Sequence, residues 1–442
     1  MHYILSIGGT TPLAPHIRAK LHSGLFVCLL LLTTAVHGAT WPDFRGPHGD
    51  GHAAPGTTLP THWSESENVV WKTAVPNQGW STPVVWDEQI WLTTATESGN
   101  DFFVIALDGG TGDVIHQEQL FHSDNPEPLG NSVNCYASPS PVIEAGRVYV
   151  HFGSYGTACI DTKSKKVLWK RDDLPCQHYR GPGSSPIIFE DLLILTFDGI
   201  DQQYVTALDK KTGDTRWRTD RTRAWDDFDE NGQPKRGGDL RKAFSTPIIV
   251  EQDGKPLMLS VGSSASYGYD PRTGEEQWKV EQIGFTPSTR PVWDGKRLFT
   301  ATGYGGTELW AIQTDGTGDA TASHVAWRRA EKDVPDTPSP ILVDGLLYVV
   351  SNRGQLTCLE PASGDVVWAD RIGGNYIASP LYAGGLIYFF NSQGACHIVK
   401  AGRTFEEVAE NSLDDGLMAS PAVDGNALVI RTKTHVYRIE AK

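Results

Sequence analysis

The stretch Thr206-Ala207-Leu208-Asp209-Lys210-Lys211-Thr212-Gly213-Asp214-Thr215-Arg216-Trp217 decides the fold. Its first four residues read as the end of an apolar β-strand. Lys211 to Asp214 form a tight turn in which Gly213 supplies the positive φ a short hairpin needs. Trp217 then opens the middle of the next strand. The same plan recurs at Ile105-Ala106-Leu107-Asp108, Ala158-Cys159-Ile160-Asp161, Tyr267-Gly268-Tyr269-Asp270 and Thr357-Cys358-Leu359-Glu360. The tryptophan recurs as Trp169, Trp278, Trp327 and Trp368, and His116 holds its place in the first repeat.

Outward from each such unit stands a proline step, usually Ser-Pro or Thr-Pro, just before a short apolar run. The prolines are Pro83, Pro141, Pro186, Pro247, Pro291, Pro340, Pro380 and Pro421, spaced by 58, 45, 61, 44, 49, 40 and 41 residues. A period in the forties with strand-like content predicts a β-propeller whose repeats are four-stranded blades. Proline donates no ladder hydrogen bond and so belongs at the first residue of a strand. The fold class read here is all-β, an eight-bladed propeller of antiparallel blades.

The last repeat ends without a fourth strand. Asn68-Val69-Val70-Trp71-Lys72 reads like the other tryptophan strands and is expected to complete blade eight, closing the ring and leaving no open sheet edge. Trp71, Trp169, Trp217, Trp278, Trp327 and Trp368 are therefore read as structural, each packed between adjacent blades. Residues 67–442 form the propeller on this reading, with a lead-in over 39–66 and a signal peptide over 1–38. Arg18, Lys20 and His22 precede the apolar run from Leu25 to Leu32, and Gly38 and Ala39 follow as small cleavage-site residues. The run is too short to span a bilayer, so the expectation is a periplasmic or secreted protein without a transmembrane segment. A monomer is expected.

The formal charge is −15 and no basic stripe is present, which argues against a nucleic-acid partner. Six cysteines fall to five once the leader is removed. Cys159 and Cys358 occupy a slot filled by small residues in other repeats, and Cys396 is similar. Cys135 and Cys176 lie in the linkers into consecutive blades and are the candidates for a disulfide in an oxidising compartment.

The linkers are long and chemically varied between blades one and four, where a rigid scaffold would present a binding surface. Tyr136, His178, Tyr179, Arg180 and Trp225 are the candidate partner-binding residues there, since aromatics mixed with arginine make contact hot spots. Asp227-Phe228-Asp229-Glu230-Asn231-Gly232 opens like a calcium loop. We read it as a solvated acidic turn, with Asp227, Asp229 and Asn231 as the metal ligands if it holds an ion. Phosphate-loop, zincin, nucleophile-elbow and haem-attachment motifs are absent, so no catalytic residue is assigned.

The Ala-Leu-Asp…Thr-Gly…Trp unit resembles the pyrroloquinoline-quinone-like (PQQ-like) propeller repeat. Trp41-Pro42-Asp43-Phe44-Arg45-Gly46-Pro47 and Gly79-Trp80-Ser81-Thr82-Pro83 are similar to secreted repeat proteins of planctomycete-type bacteria. The resemblance implies either a non-catalytic propeller of the BamB type or a quinoprotein dehydrogenase that uses PQQ and Ca²⁺. Those dehydrogenases carry adjacent cysteines beside the quinone, and no Cys-Cys pair occurs here. The expectation is therefore an exported scaffold that binds a protein or other extracellular partner and needs no cofactor. The alternative is the quinoprotein dehydrogenase.

Overall fold

The computed structural model describes residues 41–441; the expected signal peptide and its cleavage site lie outside them. Eight antiparallel sheets follow one another around a ring. Blade one runs Val84–Trp86, Gln89–Ala95, Asp101–Asp108 and Val114–His122, and the next six repeat its up-and-down order. Strand β1 (Val69–Ala74) pairs antiparallel with His435–Ile439 and so supplies the fourth strand of blade eight. The ring closes on hydrogen bonds between this first strand and the last. Among the described residues no helix is long and apolar enough to cross a membrane.

A bulge recurs at one place in every blade. Trp217 pairs with Ala207 but Thr215 pairs with Leu208, so Arg216 is left over, as are Ile115, Leu168 and Val70 at the equivalent positions. The extra residue is pushed outward, which explains why Val70, Ile115 and Leu168 are exposed although apolar. The same bulge re-aims the tryptophan towards the next blade. Five indole N–H groups donate to a turn carbonyl of the following blade: Trp71 to Gly109, Trp169 to Lys210, Trp217 to Pro271, Trp327 to Pro361 and Trp368 to Gly402. In four of these the ring lies on the turn glycine, Gly112, Gly213, Gly274 or Gly364, where a Cβ would stand 2.5 to 2.9 Å from ring atoms.

Trp278 departs from this pattern. It turns into its own blade, 1% exposed, over Gly268, where any Cβ would sit 2.3 Å from its Nε1. Blade five instead lends Gly318–Asp319 as a parallel fifth strand along Trp278 and Lys279.

In blade one, where His116 replaces tryptophan, the facing turn of blade two has Lys165 at the glycine position, with φ 63°. Its ammonium lies 4.7 Å from the centre of the Trp91 ring and bonds to Gln89. The chain thus swaps Trp-on-Gly for His-with-Lys at one seam. His116→Trp alone is expected to cost roughly 1–3 kcal/mol by overpacking against Lys165. Adding Lys165→Gly should recover at least half, a coupling that urea melts of the two single variants and the double variant would read. Additive losses would contradict the staple.

The proline steps do more than start strands. The backbone N–H before each proline donates to the hydroxyl before the next: Thr82 to Ser140, Ser140 to Ser185, Ser185 to Thr246, then Arg290 to Ser339, Ser339 to Ser379 and Ser379 to Ser420. This belt joins the inner strands. It is interrupted where Arg290 replaces the hydroxyl residue, and at the seam of blades eight and one. At that seam Arg431, 3% exposed, donates to Ser81 and to the Thr93 carbonyl instead. Burial lowers the Arg431 pKa to about 10.

Residues 41–53 run through the middle of the ring. Trp41 makes a two-way bridge with Val85 of blade one, and Ile143 of blade two donates to the Pro42 carbonyl. Arg290 of blade five reaches in to the Asp43 carboxylate at 3.0 Å and to the Phe44 carbonyl. His52 pairs with Tyr382 of blade seven and reaches the Leu342 carbonyl of blade six at 2.7 Å. This lead-in is an axial plug. Arg45 inside it is 1% exposed, and burial brings its pKa down to about 9 although Asp50 opposes the shift.

Candidate functional site

Above the plug, on the face that carries the inter-blade linkers, lies a funnel of about 610 Å³. Phe44 and belt hydroxyls, Ser140, Ser185, Thr246, Ser379 and Ser420, form its floor. The plug and the proline belt therefore set its depth. Every inter-blade linker contributes to the walls.

The most charged wall lies over blades three to five. Asp239, 3% exposed, accepts from Arg180 at 2.5 and 2.9 Å and from Arg236 at 2.8 Å. Two guanidinium groups share one carboxylate, which leaves a net positive charge at the wall. The Arg180 pKa is raised by its hydrogen bonds to Asp239. Arg236 lies over the Phe285 ring at 5.0 Å, and Tyr304, 62% exposed, meets Phe285 edge-on at 5.6 Å. Three non-glycine residues of this wall hold a left-handed backbone: Arg180 at φ 77°, Arg236 at 54° and Thr286 at 56°. Such a conformation is rare and costly for a β-branched residue, and strain of this kind concentrates at working sites.

Two blades on from Arg236, Asp336 enters the funnel from the linker into blade six. No side chain of the described residues bonds its carboxylate, and burial raises its pKa with no opposing contact. Among the described residues it is the only carboxylate of the lining. Calcium takes about six to eight oxygen ligands. The side-chain oxygens of Asn131 and Asn134 already accept backbone N–H groups of their own loop, and that of Asn352 accepts the Asp336 N–H of the linker into blade six. The funnel thus fails to offer a calcium shell, and its residues do not fit a calcium-held quinone.

The residues expected at the binding face divide. Arg180 lines the funnel. Tyr179 and Trp225 are half-buried on the linkers: Tyr179 packs on Gly130, and Trp225 donates to Gln203 with Arg223 and Arg241 over its ring. Tyr136 and His178 are corrected. They are 6% and 3% exposed and cannot touch a partner. Tyr136 packs against Phe102 and Tyr155 and donates to the Glu127 carbonyl, so its linker folds over it. His178 lies 3.0 Å from Lys242 Nζ, and burial followed by the Lys242 charge holds its pKa well below the ordinary value.

The expected disulfide is also corrected: Cys135 and Cys176 are both free and buried. Cys135 packs beside Ser138 under its own linker, while Cys176 turns towards His178 and the Gln202 carbonyl. Asp227 is no free metal ligand, because Arg241 takes both its carboxylate oxygens at 2.6 to 3.2 Å. Asp229 accepts the N–H groups of Asn231 and Gln233, which makes the segment a self-capped turn. The structural tryptophans stand where expected, Trp278 in its altered pose. Among the described residues one other group has metal-compatible spacing, His397, Glu407 and Glu410 at the outer edge of blade seven.

Sequence reading missed Arg236, Phe285, Tyr304 and Asp336. Three of them lie in short linkers or a blade-five loop that looked featureless beside the long ones. The usable signal was the Thr302-Gly303-Tyr304-Gly305-Gly306 stretch, an aromatic residue raised on glycines.

Eight blades built on four antiparallel strands, five of them stapled to the next by a tryptophan, and an axial funnel define a propeller of the PQQ-like class. The family model described as outer membrane protein assembly factor BamB matches residues 56–172, 128–252 and 306–401, and the chain belongs to that family. No curated protein matches the sequence. Among solved structures it is similar to BamB from Moraxella catarrhalis, at 12% identity and TM-score 0.56, covering 84% of this chain and 99% of that one. It is also similar to a europium-containing methanol dehydrogenase, at 12% identity and TM-score 0.66, covering 90% of each chain. A third is the quinohemoprotein alcohol dehydrogenase from Comamonas testosteroni, at 14% identity and TM-score 0.64, covering 91% of this chain and 81% of that one. Identities this low speak to the fold alone.

Proposed function

We propose that this protein is an exported, non-catalytic scaffold that acts as a monomer in the periplasm or outside the cell and binds a protein partner on its linker face. The observation that carries the reading is the chemistry of the funnel: exposed Tyr304, Phe285 and a surplus arginine at one mouth, with no nucleophile–base pair and no calcium shell. Aromatic and arginine side chains are the groups that dominate binding energy at interfaces. The opposite face is built mainly of short turns, such as Asp87-Glu88 and Asp344-Gly345, with residues 57–58 laid against those of blades seven and eight. Membership of the BamB-described family supports a protein partner.

A photo-reactive amino acid placed at Tyr304, and separately at Arg272 on the tight-turn face, tests this in cells. One discrete cross-linked species from position 304 and none from 272 is the expected result. Cross-links from both positions, or from neither, would overturn the reading.

A further inference from the structure

From the funnel's charge layout we infer that it is a recognition site for a short zwitterionic peptide segment, with a free carboxylate at Arg236 and Arg180, a free ammonium at Asp336 and an aromatic side chain between them. The inference deepens the scaffold reading and rests on it for the choice of face. Arg180 and Arg236 share the single carboxylate of Asp239, so one positive charge is uncompensated. The Arg236 side chain is 49% exposed and uses one of its N–H groups on Asp239, leaving others to face the funnel. A guanidinium with free N–H groups matches a carboxylate in plane and spacing.

Asp336 stands two blades on from Arg236, with no cation of the described residues bonded to it. A half-buried carboxylate left without a partner is unfavourable, and a ligand ammonium would relieve that. Between the poles the surface is aromatic: Phe44 on the floor, Phe244 and Phe285 on the wall and exposed Tyr304 at the rim.

Net charge points the same way. With a formal charge of −15, the protein's long-range field repels anions, so a purely anionic ligand would approach slowly and bind against that field. A zwitterion carries no net charge. It escapes this penalty and is still oriented by opposed local charges. A volume of about 610 Å³ accommodates a peptide of a few residues and exceeds what a single amino acid fills. Their shared bonds to buried Asp239 hold Arg180 and Arg236 in place before a ligand arrives.

The test is calorimetric titration of the full mature chain with Gly-Phe-Gly, its C-terminal amide and its N-acetyl form. Saturable binding of the free tripeptide is expected, weakened about tenfold or more by either block, the loss tied to one missing charge-assisted bond. Arg236→Gln should weaken the free peptide by a similar factor and leave the amide unchanged; Asp336→Asn should do the same with the N-acetyl form as the insensitive ligand. Asp336→Asn is isosteric, Arg236→Gln shortens a side chain that is half exposed and leaves the Arg180–Asp239 pair intact, and unchanged melting temperatures would confirm intact folds. No saturation by roughly 10 mM, a range where affinities fall near −3 kcal/mol, would overturn the inference. So would equal binding of the blocked and free peptides. A partner cross-link from position 304 alongside equal peptide binding would sink this inference and leave the scaffold reading standing; the converse result would sink the scaffold reading alone.

Discussion

Arg290→Met is expected to destabilise the protein by roughly 3–5 kcal/mol, the range found when one member of a buried ion pair is removed. Arg290 is 3% exposed, and among the described residues it is the only side chain that bonds Asp43 and the Phe44 carbonyl from the blade side. Its loss leaves the Asp43 carboxylate in the middle of the ring with no counter-charge. Burial already raises the Asp43 pKa, with Arg290 as the main opposing influence, so the variant should drive that carboxyl towards the neutral acid.

Two consequences separate this from ordinary core damage. Asp43→Leu added to Arg290→Met should restore much of the loss, because the unpaired charge is gone. Limited proteolysis should newly cut between residues 41 and 53 in the single variant, since the plug is held there by Arg290 and by side chains packed behind it. Gly49 belongs to the same latch, because its position, at φ 67°, leaves a Cβ only 2.5 Å from the Arg290 guanidinium carbon. Chevron or urea data showing the single and double variants equally unstable would contradict the latch.

The second large effect is acid sensitivity from buried histidine. His151 is 1% exposed, bonded at 2.8 Å to Thr157 and set edge-on against Phe197. Burial pulls its pKa from 6.5 down to about 3. The unfolded chain takes up a proton near pH 6.5 and the folded chain resists until about pH 3. The neutral ring's contribution is therefore complete above pH 6.5 and is lost progressively as pH falls through that window. At pH 4 the loss from this one residue is about 3 kcal/mol. Urea melts at pH 7 and pH 4 should show the wild type losing that much more than His151→Gln, which keeps a polar contact to Thr157 and cannot take a proton. His178 lies under the next linker with its pKa also held well below the ordinary value, so the wild-type limb should be steeper still than His151 alone predicts. Parallel losses in wild type and variant would contradict the account.

The blade count, the closing strand and the staple positions were legible because each is written locally and repeated. A proline that must start a strand, a glycine that must take positive φ and a tryptophan that pairs with a small residue on the strand before it carry their meaning within about a dozen neighbours. Even the exception at His116 was visible, although its compensation at Lys165 was not, because that residue belongs to the next repeat. The fates of Tyr136, His178, Cys135 and Cys176 were illegible for a related reason. Each sits in a non-repeating linker, and which way a linker's side chains face depends on the loop packed over it.

What the sequence alone determined is the scaffold, since a periodic pattern constrains every blade by the same local rules. What only the tertiary structure decided is the working interior. The plug of residues 41–53 is held by blades one, two, five, six and seven, and the funnel above it gathers side chains from every linker. Arg180, Arg236 and Asp239 meet across 59 residues of chain, and Asp336 faces them from nearly a hundred residues further on. Charges so far apart in sequence acquire a relationship only when the ring closes and its strand ends are brought round one axis.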